Sequence, residues 1–232
     1  MADKLKEAYA AKQRAAIYRV IHERRDVRHF IPYDIPEDLL QRLLQAAHAA
    51  PSVGFMQPWD FIIIRDLLTR GKIRDHVQAE KGKAGRHYER DDAALYQRLK
   101  IEGIMDCSIL LAVTCDPERA GKKNLGRVTM PQTAQFSVCT AIQNFWLAAR
   151  AEGLGVGWVS ILDPHWLKAL LKIPKSIELI ALLCIGATAN FPKDPLLQTV
   201  GWRSRESLEN LTHAEHWGRP YSRRTHQKRG KL

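Results

Sequence analysis

The chain has 232 residues, a length that allows one large domain or two small ones without a stabilising metal or disulfide. Its 45% hydrophobic content excludes a wholly disordered chain, and its 14 glycines exclude a collagen-like repeat. The formal net charge of +11 would by itself indicate a nucleic acid, an acidic membrane surface or a phosphorylated ligand as partner. The location of that charge must decide between these partners.

The N-terminal half alternates helical and strand-like patterns. Apolar residues at helical spacing predict a first helix that ends near Glu23. They predict a second helix that begins near Pro36 and ends before Pro51. The β-branched run 59–65 predicts a strand, and the polar residues 66–102 show a helical pattern.

The C-terminal half carries the longest apolar elements. It predicts a buried strand over Ser108–Cys115, a basic loop over 116–131 and a long apolar helix over Thr133–Glu152 that Gly153 closes. After them it predicts a short strand over Gly157–Ile161, a proline-initiated helix from Asp163 to about Lys172 and a last strand over Ile177–Ala187. No internal repeat and no mid-chain linker interrupts them. We therefore expect one α+β domain over residues 1–218, followed by a basic, disordered tail over residues 219–232.

The termini and cysteines bear on the compartment. The four cysteines lie in apolar stretches and form no C-x-x-C pair, which is typical of buried, reduced thiols. The N-terminal sequence lacks the apolar core of a secretory signal, and the longest apolar run, Leu179–Ala187, is too short to cross a bilayer. We expect a cytoplasmic protein that does not enter a membrane.

Three guanidinium groups fall within five residues in Arg24-Arg25-Asp26-Val27-Arg28. They repel one another unless an anion lies among them, and a phosphate suits the bidentate geometry of arginine. The alternative is a solvated helix end with Asp26 as local counter-ion.

The loop Ala50–Trp59 is rich in small and polar residues. The hydroxyl of Ser52, the amide of Gln57 and free backbone N–H groups can bond the edge of a planar ligand. The alternative is a simple turn built on proline and glycine.

The alternating glycines of Gly153–Gly157 are like those of a dinucleotide-binding fingerprint, but they follow a helix and open a strand, which is the reverse of that motif. They instead predict a place where the backbone passes close to a ligand or another chain, near the hydroxyl of Ser160. The sequence contains no Walker A motif, no G-x-S-x-G elbow and no H-E-x-x-H motif. His213 and His216 are three residues apart but have no cysteine partner, so we expect no metal site.

Taken in order, these segments resemble the nitroreductase-like flavoproteins, and within them they are most similar to the 5,6-dimethylbenzimidazole synthases. The segments that carry the resemblance are RRDVR (24–28), APSVGFMQPW (50–59), LKIEGI (99–104), NLGR (124–127), AIQNFWLAARAEGLGVGWVSI (141–161) and GWRSRESLENL (201–211).

The resemblance implies an α+β fold with a mostly antiparallel central sheet flanked by helices, in an obligate homodimer with FMN at the interface. It assigns the catalytic roles to Asp26 and Ser160. The residues it implies for FMN binding are Arg24, Arg25, Asp26, Val27, Arg28, Ser52, Leu99, Ser160 and Arg205, with Arg203 as the alternative to Arg205.

The implied reaction converts reduced FMN and O2 to 5,6-dimethylbenzimidazole, the lower ligand of cobalamin, and erythrose 4-phosphate. Reducing equivalents would come from NADH or NADPH through a separate flavin reductase. We expect Asp26 to stay ionised between its arginines and to handle protons during cleavage of the ribityl chain, while Ser160 orients the flavin.

Two other functions remain open. One is an NAD(P)H-dependent nitroreductase or quinone reductase that retains its FMN. The other is a basic nucleic-acid-binding protein, which the tail favours but the apolar helices and the missing recognition motifs oppose. We therefore expect no nucleic-acid partner.

Overall fold

The computed structural model describes residues 7–121 and 123–221. The chain divides into two compact units, residues 1–193 and 194–232, and each is described by itself. The elements of the first unit are α1 (Ala11–Glu23), α2 (Glu37–His48), a 3-10 turn (Val53–Phe55), β1 (Trp59–Ile64), α3 (Leu67–Gly85), α4 (Arg90–Arg98), β2 (Ile109–Cys115), α5 (Thr133–Ala151), β3 (Leu154–Val159), α6 (Pro164–Leu170) and β4 (Glu178–Ala187).

The four strands form one antiparallel sheet in the order β1-β2-β4-β3. Helices flank this sheet, which confirms the predicted α+β fold with a mostly antiparallel central sheet. Every residue of β2 is buried, because this central strand is covered on both faces. That explains why its sequence is a continuous apolar run rather than an alternating one.

Helices cover both faces of the sheet. On one face the long helix α5 buries nine residues, among them Phe145 and Trp146, and α2 packs against it. On the other face, α3 and α6 pack through Ile73, Val77 and Leu167. Both faces of the sheet are therefore covered mainly by apolar side chains.

The strand β3 begins at Leu154, three residues earlier than the sequence predicted. Gly153 adopts φ +81° and ends α5, so the chain enters the sheet at once and pairs with β4, Leu154 opposite Ala187. Gly155 and Gly157 therefore lie inside the strand, and Ser160 follows its end. The helix predicted at Asp163 is confirmed, since the Asp163 carboxylate accepts from the His165 backbone N–H at 2.8 Å.

The second unit contains one short helix, α7 (Leu196–Thr199). The Trp202 backbone N–H donates to the Leu197 carbonyl at 2.8 Å, and the Tyr221 N–H donates to the Thr212 carbonyl at 3.1 Å. Most of the predicted tail, residues 222–232, lies outside the described residues. Among the helices that are described, none is both long and apolar enough to cross a membrane.

Candidate active site

The arginine-rich segment 24–28 runs along the open edge of β3. The Val27 backbone N–H donates to the Val156 carbonyl at 3.0 Å, and Asp26 forms a parallel bridge with Val156. Val27 itself is buried. This pairing covers an edge that would otherwise expose unpaired backbone groups, and it fixes the segment on the end of the sheet.

The glycines of β3 make this contact possible. A Cβ on Gly157 would lie 2.1 Å from the Val27 carbonyl oxygen, and one on Gly155 would lie 2.8 Å from a Val27 methyl carbon. The sequence predicted a ligand or another chain at this close approach. The structure instead places the chain's own residues 26–27 there, because a strand edge without side chains lets a second backbone pair directly with it.

Asp26 is held by two hydrogen-bond donors. Its Oδ2 accepts from the Arg28 guanidinium at 2.5 Å, and its Oδ1 accepts from the Trp158 backbone N–H at 3.2 Å. Of its side-chain surface, 43% is exposed. Desolvation raises the pKa of Asp26 above its ordinary value, although Arg28, the Trp158 N–H and Arg24 oppose the rise. The carboxyl is therefore fixed in place and closer to the range in which it can exchange a proton.

Arg28 joins three parts of the site. Its guanidinium donates to Asp26, to the Trp158 carbonyl at 2.7 Å and to the Ile101 carbonyl. Only 14% of its side-chain surface is exposed. Arg28 thus fixes the Asp26 carboxyl against the end of β3 and against the segment that carries Leu99.

The other two arginines take separate positions. The Arg24 guanidinium carbon lies 5.0 Å from the centre of the Trp146 ring. Arg25 donates to the His22 carbonyl at 2.6 Å, to the Arg24 carbonyl at 2.7 Å and to the Lys193 carbonyl. Carbonyl oxygens and an indole ring therefore contact these two guanidinium groups within the chain, and their assignment to a phosphate stays a prediction.

One N–H donor of the arginine-rich segment makes no hydrogen bond among the described residues. The Arg25 Nε is buried and has no hydrogen-bond partner within the described residues. A buried donor without a partner is costly, so this nitrogen marks a point where a further acceptor would be stabilising.

Two more predicted site residues lie on flanking segments. Ser160 is exposed just beyond β3, and its hydroxyl makes no hydrogen bond inside residues 7–121 and 123–221. Leu99 caps the end of α4, and its carbonyl accepts from Lys81 Nζ at 2.7 Å. Lys81 also donates to the Gln97 carbonyl at 3.0 Å. No local pattern in the sequence pointed to Lys81, because its partners lie 16 and 18 residues away.

Ser52 opens a tightly folded loop. Its Oγ accepts from the Gln57 backbone N–H at 3.1 Å, while Phe55 and Gln57 adopt φ of +53° and +46°. A Cβ on Gly54, at φ +60°, would lie 2.5 Å from the Leu125 carbonyl, so the close packing of loop 124–127 requires glycine. The ring of Phe55 is 81% exposed. The backbone conformation of this loop is therefore fixed, and the Ser52 hydroxyl lies at its start.

The remaining predicted contacts lie in the second unit, where both Arg205 and Arg203 are exposed. Their assignment to a phosphate stays a prediction. Over the part of the chain that is described, no group of three His, Cys, Asp or Glu side chains could hold a metal ion.

The Nitroreductase family model matches residues 21–187, which include the 24–28 segment, the Ser52 loop and the whole sheet. This chain is a member of the nitroreductase family. It is 46% identical over 184 residues to a 5,6-dimethylbenzimidazole synthase of Rhodospirillum rubrum, a match that covers 78% of this chain and 86% of the relative. It is 40% identical over 196 residues to a 5,6-dimethylbenzimidazole synthase of Rhodobacter capsulatus, covering 84% and 95%. These relatives confirm the resemblance drawn from the motifs.

A solved structure shows the same fold. The crystal structure of oxidised iodotyrosine deiodinase bound to FMN and 3-iodo-L-tyrosine superimposes with a TM-score of 0.65 at 23% identity, covering 77% of this chain and 94% of that chain. At this identity the likeness concerns the nitroreductase fold alone.

Proposed function

We propose that this nitroreductase-family protein is a 5,6-dimethylbenzimidazole synthase, which fragments reduced FMN with O2 to 5,6-dimethylbenzimidazole and erythrose 4-phosphate. The observation that carries the proposal is the 46% identity to the synthase of Rhodospirillum rubrum over 86% of its length. Such a match covers 78% of this chain rather than one motif. The product would supply the lower ligand of cobalamin.

The residues around the β3 edge fit a phosphorylated flavin. The 24–28 segment supplies cations for a phosphate, and the unpartnered Arg25 Nε is a donor that an acceptor would satisfy. Ser52 and Ser160 supply hydroxyl groups for the polar edge of a ring. The FMN bound by iodotyrosine deiodinase supports a flavin on this fold. We propose FMN contacts with Arg24, Arg25, Asp26, Val27, Arg28, Ser52, Leu99, Ser160 and Arg205.

Asp26 and Ser160 would carry the chemistry of the protein itself. Reduced FMN supplies the electrons for O2 and the carbon skeletons of both products. Asp26 accepts a proton from the ribityl chain and returns it, since Arg28 and the Trp158 N–H fix its carboxyl while desolvation raises its pKa. Ser160 presents an unpaired hydroxyl that can donate to the ring and hold its orientation.

The proposed assembly is a homodimer with FMN between the protomers. No residue of α1 is buried in one protomer, and the apolar side chains of Ile17, Tyr18 and Ile21 are 50%, 60% and 43% exposed. Phe136 on α5 is 53% exposed. A second copy would cover this apolar surface. Reduced FMN would be delivered by a separate reductase that uses NADH or NADPH, in the cytoplasm.

The test follows chemically reduced FMN in air by chromatography with the parent protein, Asp26→Asn and the control Asp38→Asn. Asp38 forms an exposed ion pair with Arg42 on α2 and is not one of the proposed flavin-binding residues. We expect dimethylbenzimidazole from the parent and from Asp38→Asn, and a loss of at least about 100-fold with Asp26→Asn. Parental rates in Asp26→Asn would remove Asp26 from the mechanism.

The same experiment separates the synthase from a reductase. An NAD(P)H-dependent nitroreductase or quinone reductase returns intact FMN after many turnovers, whereas the synthase consumes one FMN for each dimethylbenzimidazole formed.

A further inference from the structure

The turn Ser160–Asp163 packs against helix α3. Val159 is buried beside Ile73 and Val77 of α3, and Leu162 packs on the same cluster. The exposed Ser160 therefore lies between two side chains that point into the core. Rotation of the turn would pull one of them out, so the turn has few alternative positions.

A hydrogen bond completes this attachment. His76, in the middle of α3, accepts the backbone N–H of Asp163 through Nε2 at 3.0 Å. A ring nitrogen that accepts carries no proton, so the imidazole is neutral with its proton on Nδ1 in this arrangement. The contact joins residues 87 positions apart in the chain.

The indole of Trp166 covers this imidazole. The two rings are stacked at 4.0 Å between centroids and 4° between planes. Both rings are partly buried. The stack fixes the orientation of the imidazole, and with it the direction of the lone pair that meets Asp163.

We propose that His76 is a positioning residue for the synthase reaction: it fixes the Ser160–Asp163 turn, and thereby the Ser160 hydroxyl, through the backbone of Asp163. The inference rests on the proposed role of Ser160. Within the described residues, the hydrogen bond and the ring contact of His76 are to Asp163 and Trp166 and not to a proposed flavin-binding residue, so it acts through the turn.

Two substitutions separate its contacts. His76→Phe keeps an aromatic ring against Trp166 but removes the acceptor, whereas His76→Gln removes the ring but offers an amide oxygen to the Asp163 N–H. The same changes at His87, an exposed residue just beyond α3, serve as controls.

The first readout is amide hydrogen exchange of Asp163 in the protein without FMN. We expect about tenfold faster exchange in His76→Phe, smaller acceleration in His76→Gln and none in the His87 variants. Unchanged exchange in His76→Phe overturns the inference, even where the parent makes dimethylbenzimidazole. Because no flavin is present, this result does not depend on the proposed function.

The second readout is steady-state kinetics with reduced FMN and O2. The Ser160 hydroxyl is proposed to orient flavin that is already bound, so its displacement should affect kcat more than KM. In His76→Phe we expect kcat to fall by roughly 10- to 100-fold while KM changes less than about twofold. His76→Gln should recover part of kcat. Faster Asp163 exchange with a parental kcat would show that the turn needs no fixing and would also overturn the inference.

Discussion

The replacement Gly157→Ala tests whether the position of the 24–28 segment requires the absence of a side chain at residue 157 of β3. The new Cβ would lie 2.1 Å from the Val27 carbonyl oxygen, where carbon and oxygen normally keep about 3.3 Å or more. The segment must therefore retreat by roughly 1 Å, because backbone cannot rotate away as a side chain can. That movement weakens the Val27–Val156 and Trp158–Asp26 hydrogen bonds.

The expected cost follows from these losses. Two hydrogen bonds contribute about 1 kcal/mol each, and forced overpacking costs about 1–3 kcal/mol. We expect the free energy of unfolding to fall by about 3–5 kcal/mol in Gly157→Ala. In Gly155→Ala the Cβ meets Val27 side-chain atoms at 2.8 Å, which can shift, so the loss should be about half as large.

The assay is urea unfolding at a fixed protein concentration, together with the rate of dimethylbenzimidazole formation. Gly71→Ala is the control, because no atom lies within 4 Å of its added Cβ and it stands inside helix α3. That variant should be as stable as the parent or more stable by about 0.5–1 kcal/mol. A Gly157→Ala protein within about 1 kcal/mol of the parent and fully active would refute the reasoning.

Two further predictions concern the Asp26 carboxyl. Arg28→Met should lower kcat by about 10- to 100-fold, since it removes the charged donor that fixes Asp26. The control Arg65→Met, which breaks an exposed pair with Glu37, should leave kcat unchanged, and equal effects of the two variants would contradict the prediction. With Asp26 as the base, kcat should fall as pH falls through the raised pKa of this carboxyl. Because Arg28 lowers that pKa, Arg28→Met should move this fall in kcat to higher pH. A shift to lower pH would contradict the prediction.

The same raised pKa has a consequence for stability. The folded protein binds the Asp26 proton more tightly than the unfolded chain does. Its contribution to stability is therefore largest at low pH and declines as pH rises from the ordinary value of 3.8 through the folded-state value. Asp26→Asn should remove this decline, which urea unfolding across that pH range measures.

Local signals in the sequence predicted most of the fold. The helix at Asp163 carries its own cap and first-turn proline, and Gly153 marks the end of α5, so both boundaries were predicted correctly. The start of β3 was predicted too late, because Gly155 has no strand preference of its own. Its place in the sheet comes from pairing with β4 and from the close approach of Val27.

The site was less accessible from sequence. The motifs placed Asp26 and Arg28 together, but their attachment to Trp158 depends on a contact across 130 residues. The sequence also could not show that the Arg25 guanidinium donates to three backbone carbonyls, and the assignment of Arg25 to a phosphate stays a prediction. His76 shows no pattern at all, since its partner is a backbone N–H brought close only by folding.

The most direct test of the account is a mass balance on chemically reduced FMN mixed with the protein in air. Chromatography should show one 5,6-dimethylbenzimidazole formed for each FMN lost with the parent protein, and intact oxidised FMN with Asp26→Asn. Complete recovery of FMN with the parent protein, without any dimethylbenzimidazole, would contradict the proposed flavin fragmentation.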